Sequence, residues 1–104
     1  MKAQYFDLKG KRALVSGGAS GIGSSIVEHL CEQGVEVYFF DIDKKEAQKT
    51  IYRIKKKKLI IPTFIECNIK KIQKYKTSIL NIIKKKGPID ILVNNASNDQ
   101  RHSL

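Results

Sequence analysis

Residues 16–23 read Ser-Gly-Gly-Ala-Ser-Gly-Ile-Gly. Gly17, Gly21 and Gly23 carry a spacing that lets a chain leave a strand, turn sharply and enter a helix with bare backbone. A helix N-terminus presents unpaired N–H groups and the positive end of the peptide dipole. A backbone without Cβ atoms lets an anion approach those groups closely. The chemistry implied is the holding of a pyrophosphate, with Ile22 inside the same turn and Ser16, Ser20 or Ser24 as possible hydroxyl donors. A second residue type fits beside it. Asp41 stands 18 positions beyond Gly23, near the separation expected of a carboxylate that accepts the hydroxyls of an adenosine ribose. A carboxylate there repels a 2′-phosphate, so the dinucleotide expected is NAD rather than NADP.

These residues need elements to position them, and two periodicities alternate along the chain. The segment 12–16 (RALVS) is a short apolar run that stops at glycines, which predicts a buried strand. Residues 21–33 place Ile22, Ile26, Val27 and Leu30 on one helical face, and Gly34 is suited to cap the end. Residues 35–41 (VEVYFFD) are β-branched and aromatic and predict a second strand. Asp43 with Glu46 resembles a capping box, opening a helix with Ala47, Ile51 and Ile54 on one face. A third strand is expected over 62–67, starting at Pro62. A third helix carries Ile72, Tyr75, Ile79, Ile82 and Ile83 and stops at Gly87-Pro88. A fourth strand is expected over 89–93 (IDILV). The order β-α-β-α-β-α-β predicts an α/β fold: a Rossmann-type, doubly wound parallel sheet, with strands in the order 3-2-1-4 and helices on both faces. Residues 1–97 read as one dinucleotide-binding half-domain and 98–104 as a polar tail.

Composition narrows the partners. The 104 residues are 41% hydrophobic and carry a formal charge of +10. All but three of the 20 basic residues are lysine, the exceptions being Arg12, Arg53 and Arg101. Lysines cluster at 55–58 and 84–86, at the ends of two helical patterns, where they complement the dipole and stay solvated. Base reading favours arginine, so these runs are read as solvated helix ends rather than a nucleic-acid surface. No stretch approaches the ~18 apolar residues of a membrane span, and the first dozen residues lack an apolar signal core. Cys31 and Cys67 make neither a disulfide framework nor a metal site, and a reducing cytoplasm is the expected compartment. His29 reads as a surface residue and His102 as part of the tail.

Two separated motifs then carry a resemblance. Ser16-Gly17 with Gly21-Ile22-Gly23 resembles the Thr-Gly-x-x-x-Gly-Ile-Gly loop of the short-chain dehydrogenase/reductase family. Residues 87–96 (GPIDILVNNA) resemble that family's fourth strand and its Asn-Asn-Ala-Gly turn, with Ser97 in place of glycine. The resemblance implies that the glycine loop holds a pyrophosphate and that Asp41 and Ile42 hold the adenosine ribose. It implies that Asn68 and Ile69 flank the adenine, with Asn where the family usually has Asp. It implies that Asn94 borders the cofactor and that Asn95 and Ala96 form the turn after the fourth strand.

The family transfers hydride between a nicotinamide and an alcohol or carbonyl substrate. It does so with a Ser and a Tyr-x-x-x-Lys that follow this segment, so the reading is a shortened chain, inactive alone. The literal matches Tyr5…Lys9 and Tyr52…Lys56 are what chance supplies in so lysine-rich a chain, and neither is placed near a nicotinamide site. Two other readings are a non-catalytic NAD-binding half-domain completed by another chain, and a basic module that uses its lysines on nucleic acid or anionic surfaces. The apolar fourth strand is expected to be an exposed edge that invites oligomerisation or aggregation.

Overall fold

The computed structural model describes residues 8–95. Four strands, β1 (Arg12–Ser16), β2 (Glu36–Asp41), β3 (Thr63–Glu66) and β4 (Ile91–Asn94), alternate with three helices. These are α1 (Gly21–Glu32), α2 (Lys44–Lys56) and α3 (Ile72–Lys86). All pairings are parallel and the order across the sheet is β3-β2-β1-β4, as expected. The four strands therefore end on one edge, at Ser16, Asp41, Glu66 and Asn94, and the glycine loop leaves from that edge.

Alternation along the strands divides the core in two. Ala13, Val15, Val37 and Phe39 face one side, where Val27, Leu30 and Cys31 of α1 and Ala47 and Ile54 of α2 cover them. Leu14, Tyr38 and Phe40 face the other side and pack with Cys67 and with Ile82 of α3. Ring contacts stiffen both layers: Phe39 lies 5.3 Å from Phe64, and Phe40 meets Tyr75 edge-on at 5.2 Å. Burial raises the Tyr75 hydroxyl above its usual range, with a hydrogen bond to Ser16 working against it.

The caps follow the residue types. Gly34 takes φ +82°. Its N–H donates to the Cys31 carbonyl, and Val35 N–H donates to that of Leu30, which closes α1 in a Schellman turn. Asp43 accepts from Glu46 N–H at 3.0 Å and caps α2. The capping box is only half formed, because Glu46 pairs with Lys49 and Asp43 N–H donates to Asp41. Glu28 on α1 holds Arg53 of α2 and Lys57, the C-cap of α2, and those bonds keep its carboxyl below the ordinary glutamate value.

Three expectations change at the edges. Ile22 was counted on the buried face of the first helix, yet it is 72% exposed; in the first turn of α1 it is Gly23 and Ser24 that are buried. β4 starts at Ile91, where pairing with Ala13 begins. Before it, Asp90 accepts from Arg12 N–H and returns its own N–H to the Arg12 carbonyl. β3 spans only Thr63–Glu66; Pro62, which has no N–H to donate, stays outside it. The tail 98–104 lies outside the described residues.

Candidate dinucleotide site

The glycine loop is fastened from four directions. Gly17 N–H and Gly18 N–H both donate to the Phe40 carbonyl, at 2.7 and 3.3 Å. Asp41 Oδ2 accepts from Ala19 N–H at 3.0 Å. Thr50, buried on α2, donates its hydroxyl to the Ala19 carbonyl at 2.7 Å. Asn95 Nδ2 donates to the Gly17 carbonyl at 3.0 Å. Together these bonds tie the backbone of the loop to β2, to α2 and to the segment after β4, so its shape is set before any ligand arrives.

Glycine is required here by space. A Cβ on Gly23 would stand 1.8 Å from the Gly17 carbonyl oxygen, so α1 can start this close to β1 only without a side chain. A Cβ on Gly18 would meet Phe39 at 2.7 Å and Val27 at 2.9 Å, which lets the loop lie directly on the core. Gly21 differs: it takes φ +57° and faces open space, so the exposed front of the turn is there. Beside it Ser20 is the N-cap of α1, extended and exposed, and its side chain makes no capping bond. No acidic residue stands in the first turn of α1. The N-terminal donors of that helix are thus left to an outside acceptor.

Asp41 ends β2 with both carboxylate oxygens aimed back at backbone. Oδ2 takes Ala19 N–H and Oδ1 takes Asp43 N–H, each at 3.0 Å. Each oxygen retains a lone pair for a further donor. The carboxylate therefore braces the glycine loop and borders its opening at once. Next to it Ile42 is 66% exposed. A cavity of about 590 Å³ opens between Ile42, the end of β3 and the first turns of α3. Cys67, Asn68, Lys74, Thr77 and Ser78 are among the residues that line it.

The structure brings most of the expected residues to this edge and sorts their tasks. Gly17, Ser20, Gly21, Ile22 and Gly23 form the loop and the first turn of α1. Ser16 is fully buried and donates to the Val93 carbonyl at 3.4 Å, so it supports the loop from beneath. Ser24 donates to the Gly21 carbonyl and accepts from Arg53, which occupies its hydroxyl within the fold. Ile69 packs against the α3-side core and does not line the cavity, while Asn68 does. Asn94 sits exposed at the end of β4, in register with Ser16. Ala96 lies outside the described residues.

Gly18, Thr50 and the amide of Asn95 were not singled out as loop supports from sequence. For Thr50 a faint signal existed: a lone hydroxyl in the apolar stripe of α2 between Ala47 and Ile54. Tyr52 is 62% exposed on α2 with the Lys56 ammonium 5.4 Å from its ring centroid, a surface pair and not a catalytic one. Among the described residues no cluster of side chains suits a metal ion, and no helix is long and apolar enough to cross a membrane.

The arrangement fits a nicotinamide dinucleotide. Loop glycines that a Cβ would jam, an uncapped helix start and a carboxylate one strand away match its diphosphate and its adenosine ribose. Comparisons with known proteins agree with the geometry. The family model for short chain dehydrogenases matches residues 11–104. The chain is 36% identical over 102 residues to D-xylose 1-dehydrogenase of Caulobacter vibrioides, covering 98% of this chain and 39% of that protein. It is 31% identical to 5-keto-D-gluconate 5-reductase of Escherichia coli, over 93% of this chain and 38% of that one. Among solved structures, 2-keto-3-deoxy-D-gluconate dehydrogenase from Streptococcus agalactiae superposes with a TM-score of 0.76 at 34% identity. That match covers 88% of this chain and 34% of the other. The chain thus spans about two fifths of the length of the curated relatives it matches.

Proposed function

This chain belongs to the short-chain dehydrogenase family of oxidoreductases, which bind NAD(H) or NADP(H), and from that premise we propose that it is the NAD-holding half of such an enzyme. Bound there, the dinucleotide supplies a hydride donor or acceptor for an alcohol or carbonyl substrate. The residues of this chain bind and orient it. The N–H groups of the first turn of α1, Gly21 to Gly23, face the diphosphate, and Asp41 accepts the ribose hydroxyls. Asn68 stands by the base, and Asn94 borders the nicotinamide side. Proton transfer and substrate positioning belong to the rest of the enzyme, in polypeptide beyond this segment or in a second chain.

One observation supports NAD over NADP: the Asp41 carboxylate is pinned at 3.0 Å to Ala19 N–H, beside the open loop. A 2′-phosphate would stand against that charge, and its neighbour Ile42 offers no cation to offset it. Titration calorimetry with NAD and NADP tests this. NAD is expected to bind at least about tenfold more tightly, a difference near 1.4 kcal/mol, and Asp41→Ala is expected to shrink that preference. NADP binding as tightly as NAD defeats the reading.

A second reading, that the half-domain is completed by another chain, draws on β4. Among the described residues β4 pairs only with β1, and Leu92 on its α3-side face is 58% exposed. An apolar strand with a free edge invites a further parallel strand. Mixing the chain with a separately expressed catalytic half tests this. A stable complex at equal stoichiometry supports the reading, and two independent species contradict it. The lysine runs remain solvated helix ends: they lie where α2 and α3 finish, at the edge of the sheet opposite the glycine loop.

A further inference from the structure

We propose that Thr50 is a positioning residue of the dinucleotide site: its hydroxyl holds the peptide between Ala19 and Ser20 so that the Ser20 N–H is presented to the diphosphate, beside the donors of α1. This rests on the dinucleotide reading above and concerns only how the phosphates are held.

The N–H groups along the loop fall into two sets. Those of Gly17 and Gly18 are taken by the Phe40 carbonyl, and that of Ala19 by Asp41 Oδ2. From Ser20 to Gly23 none has an acceptor among the described residues; the next, Ser24 N–H, returns to the Ser20 carbonyl at 3.3 Å. The donors left for an outside anion are therefore consecutive, and the first of them stands before the helix begins.

What aims that first donor lies on another element. In a trans peptide the carbonyl and the following N–H point in opposite directions, and no peptide bond described here is cis. The Ala19 carbonyl points into the protein, where Thr50 donates to it at 2.7 Å. The Ser20 N–H therefore points away from α2, on an exposed residue, whereas Ala19 and Thr50 are both buried. Asp41 fixes the peptide before Ala19 and Thr50 fixes the peptide after it.

This task needs a hydroxyl and not merely its shape. Valine at position 50 fills the same place between Ala47 and Ile54 but leaves the Ala19 carbonyl buried without a donor. A carbonyl so stranded regains a partner by turning toward water, and the Ser20 N–H then turns inward. The open side of the loop would present an oxygen where an anion needs a donor.

The test compares wild type, Thr50→Val and Thr50→Ser, with NAD, adenosine and inorganic pyrophosphate as ligands. Affinities are read by titration, and the Ser20 amide is followed by proton–nitrogen correlation NMR. Thr50→Val is expected to weaken NAD and pyrophosphate about tenfold and to leave adenosine within about twofold. Thr50→Ser keeps the hydroxyl and is expected to stay within about threefold of wild type for every ligand. The Ser20 amide proton is expected to move downfield as wild type is saturated with pyrophosphate, and to move much less in Thr50→Val. Thr50→Ala, which also removes the hydroxyl, replaces Thr50→Val if that variant does not fold. NAD and adenosine weakened equally, NAD not weakened at all, or a wild-type Ser20 amide unmoved by pyrophosphate would each overturn the proposal and leave the dinucleotide reading standing. Failure of folded wild type to bind NAD would overturn both.

Discussion

The two helices on one face of the sheet begin in opposite ways. α2 opens on Asp43, whose carboxylate accepts Glu46 N–H, and Glu46 itself adds a negative charge to the first turn. α1 opens on Ser20, whose side chain caps nothing, and continues with Gly-Ile-Gly and no acid. Both starts present the same unpaired donors and the same positive dipole end. In α2 the chain answers that need itself, and the result is stability. In α1 it leaves the need unanswered and stiffens everything around it, and the result is a place for an anion. In the proposed dinucleotide site, the acceptor withheld matters as much as the glycines supplied.

The contrast is broken most severely at Gly23. Gly23→Ala sets a methyl 1.8 Å from the Gly17 carbonyl, so either the loop or the helix start has to move. Loss of NAD binding by more than about 100-fold is expected, with destabilisation of about 2–3 kcal/mol, read by calorimetry and thermal melting. Near-normal binding would show that the close approach is dispensable. Ser20→Asp makes the start of α1 resemble that of α2. Its melting temperature should rise slightly, since an acid at a helix start contributes about 0.3–1 kcal/mol, while NAD affinity falls about tenfold by repulsion of the diphosphate. Opposite signs in the two measurements are the signature; a matched fall in both would contradict it.

The reverse change is Asp43→Ala, which uncaps α2. It should cost about 1 kcal/mol of stability and leave NAD affinity within about twofold, because the Asp43 N–H that meets Asp41 is retained. The smallest effect expected is acid softening of the contact between the helices. The bonds from Lys57 and Arg53 lower the Glu28 carboxyl below its ordinary 4.5. Its contribution is therefore full above that value and is lost as pH falls through the lowered one. The melting-temperature gap between wild type and Glu28→Gln should narrow as the pH falls below 4.5; a constant gap would show that the ion pairs contribute nothing.

Much of this was legible before any coordinates. Alternating periodicity yields the order of elements, Gly34 marks the end of α1, and the loop spacing with Asp41 points to the candidate site. Each is a local pattern with a local cause. What was not legible is what depends on neighbours distant in sequence. Ile22 fits the apolar stripe of α1 by spacing, yet the first turn buries Gly23 and Ser24 and leaves Ile22 exposed. Ser16 and Ser24 look like ligand donors by position, yet their hydroxyls are claimed by Val93 and Gly21. Thr50 looks like a blemish in an apolar face until α2 is laid against the loop, where it becomes a clasp. The family resemblance pairs Ile69 with Asn68, but the turn at Asn68 sends one into the core and the other to the cavity wall.

The bond from Asn95 to the Gly17 carbonyl joins positions 78 apart. While this protein is being synthesised, its phosphate corner emerges from the ribosome early, yet the last fastening arrives only after β4 has been made and docked. Contacts so far apart in the chain form late. Competence to capture the nucleotide should therefore switch on near the end of the segment's translation, making ligand capture a timer for assembly of the whole sheet.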